Sequence, residues 1–158
     1  MNRITEIRPG LYLGNGIHVI SESESFLNLN INVVINCCDE IVHKESEKYI
    51  IEQYPINDDG LDDNFTKYAD VLVDSIHKHL SNRLKVYIHC VQGISRSAAM
   101  IIYYLMKYEK KSFNKAYLTL TMIRSCIALH PKFIKELESR NIYATDDDGF
   151  FKIQKINQ

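Results

Sequence analysis

Short runs of β-branched and aromatic residues alternate with helical stretches along this chain of 158 residues. Residues 32–36 and 84–88 are dominated by valine, isoleucine and tyrosine, which is typical of buried strands. Between them, residues 65–80 repeat apolar side chains at the three- and four-residue spacing of an amphipathic helix. This alternation predicts a single α/β domain, with a central, mostly parallel sheet of four or five strands flanked by helices.

The length and composition of the chain fit one globular domain. Hydrophobic residues make up 46% of the sequence and charged residues 25%, which are ordinary values. The formal net charge of −1 gives no general attraction for nucleic acid or an anionic membrane, so any affinity for phosphate must be local. The alternation of strands and helices ends near residue 140, so we predict a domain at residues 1–140 and a C-terminal tail at 141–158.

No targeting segment or metal-ligand pattern stands out in the sequence. The first ten residues lack the apolar core of a signal peptide, and no apolar run approaches the roughly 20 residues of a membrane span. We therefore expect an intracellular protein, cytoplasmic or nuclear, whose four cysteines remain free thiols. His77 and His79 are two apart on a helix and face different directions, so we predict no metal and no organic cofactor.

Residues 86–97 combine a strand, a tight loop and the start of a helix. Cys90 follows the strand, and Arg96 lies six positions later in the first helical turn. Gly93 lets the chain turn where a Cβ atom would obstruct it. Such a loop can enclose a small anion, because its amides and the helix N-terminus present positive charge, and an arginine can donate two hydrogen bonds to phosphate oxygens. The amides predicted to bind the anion belong to Val91, Gln92, Gly93, Ile94, Ser95 and Arg96.

The same loop should favour the thiolate form of Cys90. A thiol at a helix N-terminus beside an arginine is stabilised as thiolate, the nucleophile that phosphoryl transfer through a covalent intermediate requires. An isolated cysteine at a strand end is more often a buried structural residue. That alternative is disfavoured here, because an arginine, a glycine and a flanking histidine accompany Cys90 at the spacing needed for anion binding.

Residues 89–97 resemble the His-Cys-x5-Arg-Ser signature loop of the cysteine-based phosphatases. The ending Gly-x-Ser-Arg-Ser is typical of the dual-specificity protein phosphatases. The resemblance covers about residues 4–140, since residues 7–14 resemble the first strand of that family and residues 31–36 its next strand. The small poxvirus-type enzymes have similar counterparts of Asp58-Asp59 and of residues 130–133, which suggests that type.

This resemblance implies a two-step hydrolysis of phosphate monoesters and assigns roles within the loop. Cys90 attacks phosphorus, and Arg96 binds the phosphoryl group and stabilises the transition state. Ser97 hydrogen-bonds the sulfur and helps it leave in the second step, whereas His89 holds the loop and tunes the thiolate. The chain is shorter than the larger tyrosine-specific phosphatases, so a shallow cleft should admit phosphoserine and phosphothreonine as well as phosphotyrosine.

The family also supplies a general acid, an aspartate in a loop before the nucleophile. Asp58, 32 positions before Cys90, fits this pattern, and Asp59 is the alternative because the loop could align one residue differently. Asp-Asp-Gly is also ordinary turn chemistry, so both aspartates could simply cap a turn. If neither is the acid, Asp62 or Asp63 would be the next choice. Where the family often has an asparagine that supports the signature loop, this chain has His130, which could take over that hydrogen-bonding role or could simply be exposed.

Three other functions fit the same fold: an RNA 5′-triphosphatase, a phosphoinositide phosphatase and a silent phosphoprotein-binding module. Relatives of the first two tend to carry lysine inside the loop or Asn-Arg-Thr at its end, whereas this loop is uncharged before Arg96. The intact nucleophile, arginine and candidate acid argue against the third. We therefore predict a dual-specificity protein phosphatase that acts on phosphoproteins, as a monomer or weak homodimer, with no nucleic-acid or membrane partner.

Overall fold

The computed structural model describes residues 3–59 and 63–142. Five strands and six helices lie within these ranges. The strands are β1 (Thr5–Arg8), β2 (Leu11–Asn15), β3 (Val33–Asn36), β4 (Ile50–Gln53) and β5 (Val86–Cys90). The helices are α1 (Ile17–Ile20), α2 (Glu24–Leu27), α3 (Asn64–Ser81), α4 (Arg96–Tyr108), α5 (Phe113–Ile123) and α6 (Pro131–Ser139).

The strands form one sheet in the order β1-β2-β5-β3-β4, with β5 at its centre. All neighbouring strands are parallel except β1, which runs antiparallel to β2 at the edge. The predicted mostly parallel α/β sheet is therefore confirmed, at five strands. Residues 7–14, which resemble a single first strand, instead belong to a hairpin, because the chain reverses at Gly10 with a φ of +83°.

Helices cover both faces of the sheet and bury the central strand completely. The larger apolar cluster packs α3, α4, α5 and α6 against one face, and the smaller packs α1 and α2 against the other. Val86 and Ile88 point into the first cluster and Tyr87 into the second. Apolar residues therefore follow one another in β5 without polar alternation, as in other parallel strands buried on both faces.

Serine side chains cap the N-termini of two helices. Ser112 caps α5 by accepting a hydrogen bond from the Lys115 amide, and Ser23 caps α2 in the same way. Within the described ranges, no helix is both long and apolar enough to cross a bilayer. Residues 143–158 of the predicted tail lie outside these ranges, so the boundary at residue 140 stays a prediction.

Candidate active site

The predicted phosphate-binding loop lies at the carboxyl end of the central strand. Cys90 is the last residue of β5, and Arg96 is the first residue of α4. Both side chains are almost fully buried, and both line a cavity of about 430 Å³. Ligands of open α/β sheets characteristically bind at this edge. The other residues that line the cavity are Glu40, Asp58, Val91, Gln92, Ile94, Ser95, Ala128, Leu129 and His130.

Four consecutive carbonyl groups of the loop accept hydrogen bonds from the surrounding protein. Gly16 N donates to Val91 O, Ala128 N donates to Ile94 O, and the guanidinium of Arg124 donates to Gln92 O and Gly93 O. In a planar trans peptide, the N–H of the next residue points opposite to the carbonyl. Because these carbonyls point away from the cavity, the amides of residues 92–95 point into it, as an anion-binding nest does.

Gly93 is the point where the loop passes closest to the rest of the fold. Its φ is +70°, and a Cβ atom there would lie 2.4 Å from the carbonyl oxygen of Gly14. A side chain is therefore excluded both by backbone conformation and by contact with β2. This glycine was predicted from the sequence to allow the turn, and the structure shows the contact that requires it.

Arg124 braces the loop from behind. Its side chain is 2% exposed and donates to the backbone oxygens of Arg3, Gln92 and Gly93 and to Thr5 Oγ1. One buried guanidinium thus ties the loop to the β1 edge of the sheet. This arginine could not be predicted from the sequence. It follows α5, and its hydrogen-bond partners lie 31 to 121 residues away along the chain.

His130 contacts the loop through its backbone and not through its imidazole. Its amide donates to Ser95 Oγ at 3.0 Å, while its Nδ1 atom accepts from the Lys132 amide and caps α6. The expected support of the loop from this position is present, but any residue with an amide could provide it. The imidazole itself lines the cavity.

Two side chains contact Cys90 or its backbone directly. Ser97 Oγ donates a hydrogen bond to Cys90 Sγ at 3.1 Å, in a buried environment. His89 Nδ1 lies 2.9 Å from the carbonyl oxygen of Cys90, and since a carbonyl can only accept, Nδ1 carries the proton. Burial lowers the pKa of His89 to about 4, so the ring is neutral near pH 7.

The other ring nitrogen of the neutral His89, Nε2, forms a hydrogen bond with His43. The two Nε2 atoms are 2.7 Å apart, and the rings meet edge to face. Since His89 is protonated on Nδ1, its Nε2 must accept, and His43 Nε2 must donate. His43 therefore fixes the tautomer that holds the Cys90 carbonyl, a role that its sequence position did not reveal.

We expect His43→Phe to lower kcat/KM on an aryl phosphate about fivefold to tenfold, because loss of the bond frees the His89 ring to change tautomer. His43→Asn, which retains an N–H donor, should recover much of this loss. The pH dependence of iodoacetate inactivation should shift in the phenylalanine variant, which a purely structural role would not cause. Equal activity and equal alkylation profiles in wild type and His43→Phe would remove His43 from the site.

Glu40 holds Arg96 in a two-point ion pair. Glu40 Oε1 accepts from Nη1 at 2.8 Å and Oε2 accepts from Nη2 at 2.6 Å. These hydrogen bonds lower the pKa of Glu40 to about 2, so it is ionised at neutral pH. The carbonyl oxygen of Ile56 accepts a second hydrogen bond from Nη1 at 3.2 Å. Glu40 could not be predicted from the sequence, because nothing local links it to an arginine 56 residues away.

These contacts leave one edge of the Arg96 guanidinium free. Nε is buried without a partner, and one Nη2 proton remains after Glu40 is bound. The two free N–H groups lie side by side on the planar group, in the fork that matches two oxygens of a phosphate. Asp58 Oδ1 lies 3.9 Å from the free Nε, which places this carboxylate beside the space that a phosphoryl group would fill.

The candidate general acids lie in different surroundings in the structure. Asp58 lines the cavity and is about half exposed. Asp59 is outside the cavity lining, and its amide donates to Asn57 Oδ1 in a side-chain turn. Asp63 precedes α3 in the capping position without a side-chain hydrogen bond to that helix, and Asp62 lies outside the described residues. No group of three or more potential metal ligands occurs in the described part of the chain.

Comparison with known proteins gives a consistent result. The model of the dual specificity phosphatase catalytic domain matches residues 11–141. Dual specificity protein phosphatase 18 of Pongo abelii is 33% identical over 124 residues, which are 78% of this chain and 63% of that protein. The candidate tyrosine phosphatase 123R of Invertebrate iridescent virus 6 is 30% identical over 148 residues, covering 93% of this chain and 98% of that protein.

Solved structures agree on the fold. The human tyrosine phosphatase-like serine/threonine/tyrosine-interacting protein superposes with a TM-score of 0.81 at 23% identity, over 89% of this chain and 96% of that one. The chain spans somewhat less than two thirds of the length of the phosphatase 18 relatives that it matches. The family model, by contrast, covers most of the sequence. The chain therefore belongs to the family of dual specificity phosphatase catalytic domains.

Proposed function

We propose that the chain is a dual-specificity protein phosphatase that hydrolyses phosphotyrosine, phosphoserine and phosphothreonine through a cysteinyl-phosphate intermediate. The observation that carries the proposal is the free edge of Arg96, a residue that lines the same cavity as Cys90 and the loop with the inward amides of residues 92–95. A phosphoryl group in this cavity would meet a nucleophile, a two-point clamp and a set of backbone donors together.

In the first step, the Cys90 thiolate attacks phosphorus and displaces the alcohol or phenol of the substrate. The phosphoryl oxygens accept from the Arg96 fork and the loop amides, which stabilise the charge spread over them in the transition state. Asp58, positioned at the mouth of the cavity, gives its proton to the leaving oxygen. The bond from phosphorus to oxygen breaks as the bond from phosphorus to sulfur forms.

In the second step, water cleaves the phosphocysteine. Asp58, now ionised, takes a proton from the water as its oxygen attacks phosphorus. The electron pair of the phosphorus–sulfur bond returns to Cys90, and the Ser97 hydroxyl, 3.1 Å away, can stabilise the departing thiolate. Inorganic phosphate then leaves, and the enzyme is back in its starting form, with Asp58 protonated and Cys90 a thiolate.

Substrate class follows from the walls of the cavity. Among the described residues that line it, Arg96 is the only one with a permanent positive charge, and it is already paired with Glu40. A 5′-triphosphate or a multiply phosphorylated inositol would find little to balance its extra charges. A phosphoprotein with a single phosphate is the better match. The proposed cytoplasmic or nuclear location, monomer or weak homodimer, and poxvirus type stay predictions.

The fold alone does not separate an enzyme from a binding module, since one protein of this fold is described as phosphatase-like. Release of inorganic phosphate from matched phosphotyrosine, phosphoserine and phosphothreonine peptides is the direct test, with RNA 5′-triphosphate and a phosphoinositide as competing substrates. Turnover of the three peptides supports the proposal. Binding of the peptides without turnover would identify a module, and preference for either competitor would identify one of the other enzymes.

Asp58→Asn is expected to lose about 100- to 10,000-fold in kcat on phenyl phosphate or a phosphotyrosine peptide, because a poor leaving group needs a proton. The loss should be far smaller on an aryl phosphate with an acidic phenol, which departs without one. The basic limb of the pH–rate profile should flatten in the same variant. Steady-state kinetics on the two classes of substrate measures this dependence on the leaving group.

Asp59→Asn is the matched control, since it removes the neighbouring carboxylate from the same loop. It should show small and equal losses on every substrate. If Asp59→Asn shows the leaving-group dependence instead, the acid is one residue later than proposed. If neither variant shows it, the acid lies elsewhere, with Asp62 and Asp63 next in line.

A further inference from the structure

Carboxylates surround the mouth of the cavity on one side. Asp39 and Glu40 follow β3, and Asp58 and Asp59 follow β4, the neighbouring strand at the sheet edge. Glu40 and Asp58 are about half exposed, and Asp39 and Asp59 are exposed. The two loops therefore present a single acidic surface beside the phosphate site, which we call the acidic rim.

The positive charge of the site is largely balanced before any substrate arrives. Both terminal nitrogens of Arg96 are bound by Glu40. The neighbouring carboxylate of Glu40 raises the pKa of Asp39. Yet the buried Nε of Arg96 has no hydrogen-bond partner, and Arg96 lines the cavity, as is expected of a site that receives an anion. A phosphorylated residue must therefore pass the negatively charged acidic rim, which repels its phosphate, to reach the anion-binding loop.

We propose that the acidic rim selects phosphopeptides that carry lysine or arginine beside the phosphorylated residue. The inference rests on the proposed function, and it names the substrate class of that same site. A basic neighbour lying over the loops after β3 and β4 would offset the repulsion between the rim and the phosphate. An acidic neighbour there would add to it, so charge discriminates against acidic sequences as well as favouring basic ones.

The opposite side of the cavity does not carry the same charge. It is formed by Ala128, Leu129 and His130, and the first turn of α6 adds the exposed Lys132. The selectivity should therefore depend on which side of the cavity the flanking residue reaches. Removing charge from the rim should weaken the preference for basic flanking residues, and removing the charge of Lys132 should strengthen it.

Three phosphotyrosine peptides of one length, with lysine, alanine or glutamate on both flanks, test the proposal. We expect kcat/KM to be about fivefold to twentyfold higher for the lysine peptide than for the glutamate peptide at low ionic strength. The ratio should shrink as salt is added, because exposed charges are screened. Each value is divided by the kcat/KM of the same variant on an aryl phosphate with an acidic phenol, so that losses in catalysis cancel.

Asp39→Asn combined with Asp59→Asn should reduce the lysine-to-glutamate ratio about threefold or more. Glu24→Gln, on α2 behind the sheet, removes one exposed carboxylate far from the rim and should leave the ratio unchanged. Lys132→Gln should raise the ratio. A lower ratio in the rim variant alone, together with salt sensitivity, supports the acidic rim as the specificity determinant.

Equal turnover of all three peptides, or preference for the glutamate peptide, would overturn this inference and leave the proposed phosphatase activity standing. An equal fall of the ratio in Glu24→Gln would also overturn it, since net charge and not the rim would then be responsible. Failure to hydrolyse any peptide and the aryl phosphate would instead overturn the proposed function, and this inference with it.

Discussion

Cys90→Ser abolishes turnover on every phosphate monoester and preserves phosphopeptide binding, if the proposed chemistry is right. A serine hydroxyl is not ionised at neutral pH and has no base beside it, so it cannot replace the thiolate as nucleophile. We expect kcat to fall by more than about 10,000-fold. The Arg96 fork and the amides of residues 92–95 remain, and the hydroxyl brings no negative charge to repel the phosphate.

The two halves of this prediction need separate measurements. Release of inorganic phosphate measures turnover, and titration calorimetry with a phosphotyrosine peptide measures affinity, which should equal or exceed that of the wild type. Cys126→Ser is the matched control, because Cys126 is a free cysteine outside the cavity lining. Near-normal turnover in Cys90→Ser would exclude a covalent cysteinyl intermediate. Loss of binding together with turnover would instead show that the loop had collapsed.

The parts of the site that could be predicted from the sequence are those made by neighbouring residues. A strand, a tight turn and a helix start occupy residues 86–97, so the order of residues fixes their arrangement in space. The position of Cys90 at a strand end and of Arg96 in a first helical turn followed directly. The need for glycine at residue 93 also followed, although its cause, the approach of Gly14, did not.

The parts that could not be predicted depend on contacts between distant segments. Glu40 binds Arg96 from a loop after β3, and Arg124 braces Gly93 from the end of α5. Their positions are fixed by the order of strands in the sheet and by helix packing, neither of which is written in a local pattern. His43 is a similar case, because it lies in the loop between β3 and β4 while its partner His89 is 46 residues away in β5.

The hairpin at the sheet edge shows a different limit. Pro9 and Gly10 lie between two short segments in residues 5–15, and a turn there could end a strand or reverse it. The reversal is decided by the pairing of β1 with the outer edge of β2, while the inner edge of β2 pairs with β5. Arg124 bonds the backbone of Arg3 and the hydroxyl of Thr5, so the same edge strand also supports the loop.

Arg96→Lys is expected to lower kcat/KM by roughly 100- to 10,000-fold, although the charge is kept. Two hydrogen bonds between charged partners are each worth about 1.5–3 kcal/mol, and an ammonium group cannot form them in the side-by-side geometry. The lysine must also replace a guanidinium that binds Glu40 with two nitrogens and Ile56 O with one. It can satisfy Glu40 or the phosphate well, but not both.

Arg8→Lys provides a control with the same chemistry in another place. Arg8 binds Glu109 through two nitrogens, at 2.7 Å each, on the side of the molecule away from the cavity. Its replacement should leave kcat/KM within about twofold of wild type, since Arg8 lies at the opposite end of the sheet from Cys90 and does not line the cavity. If Arg96→Lys also retained most of its kcat/KM, a positive charge alone would suffice for catalysis. The fork that Glu40 and Ile56 leave open would then have no part in binding the phosphoryl group.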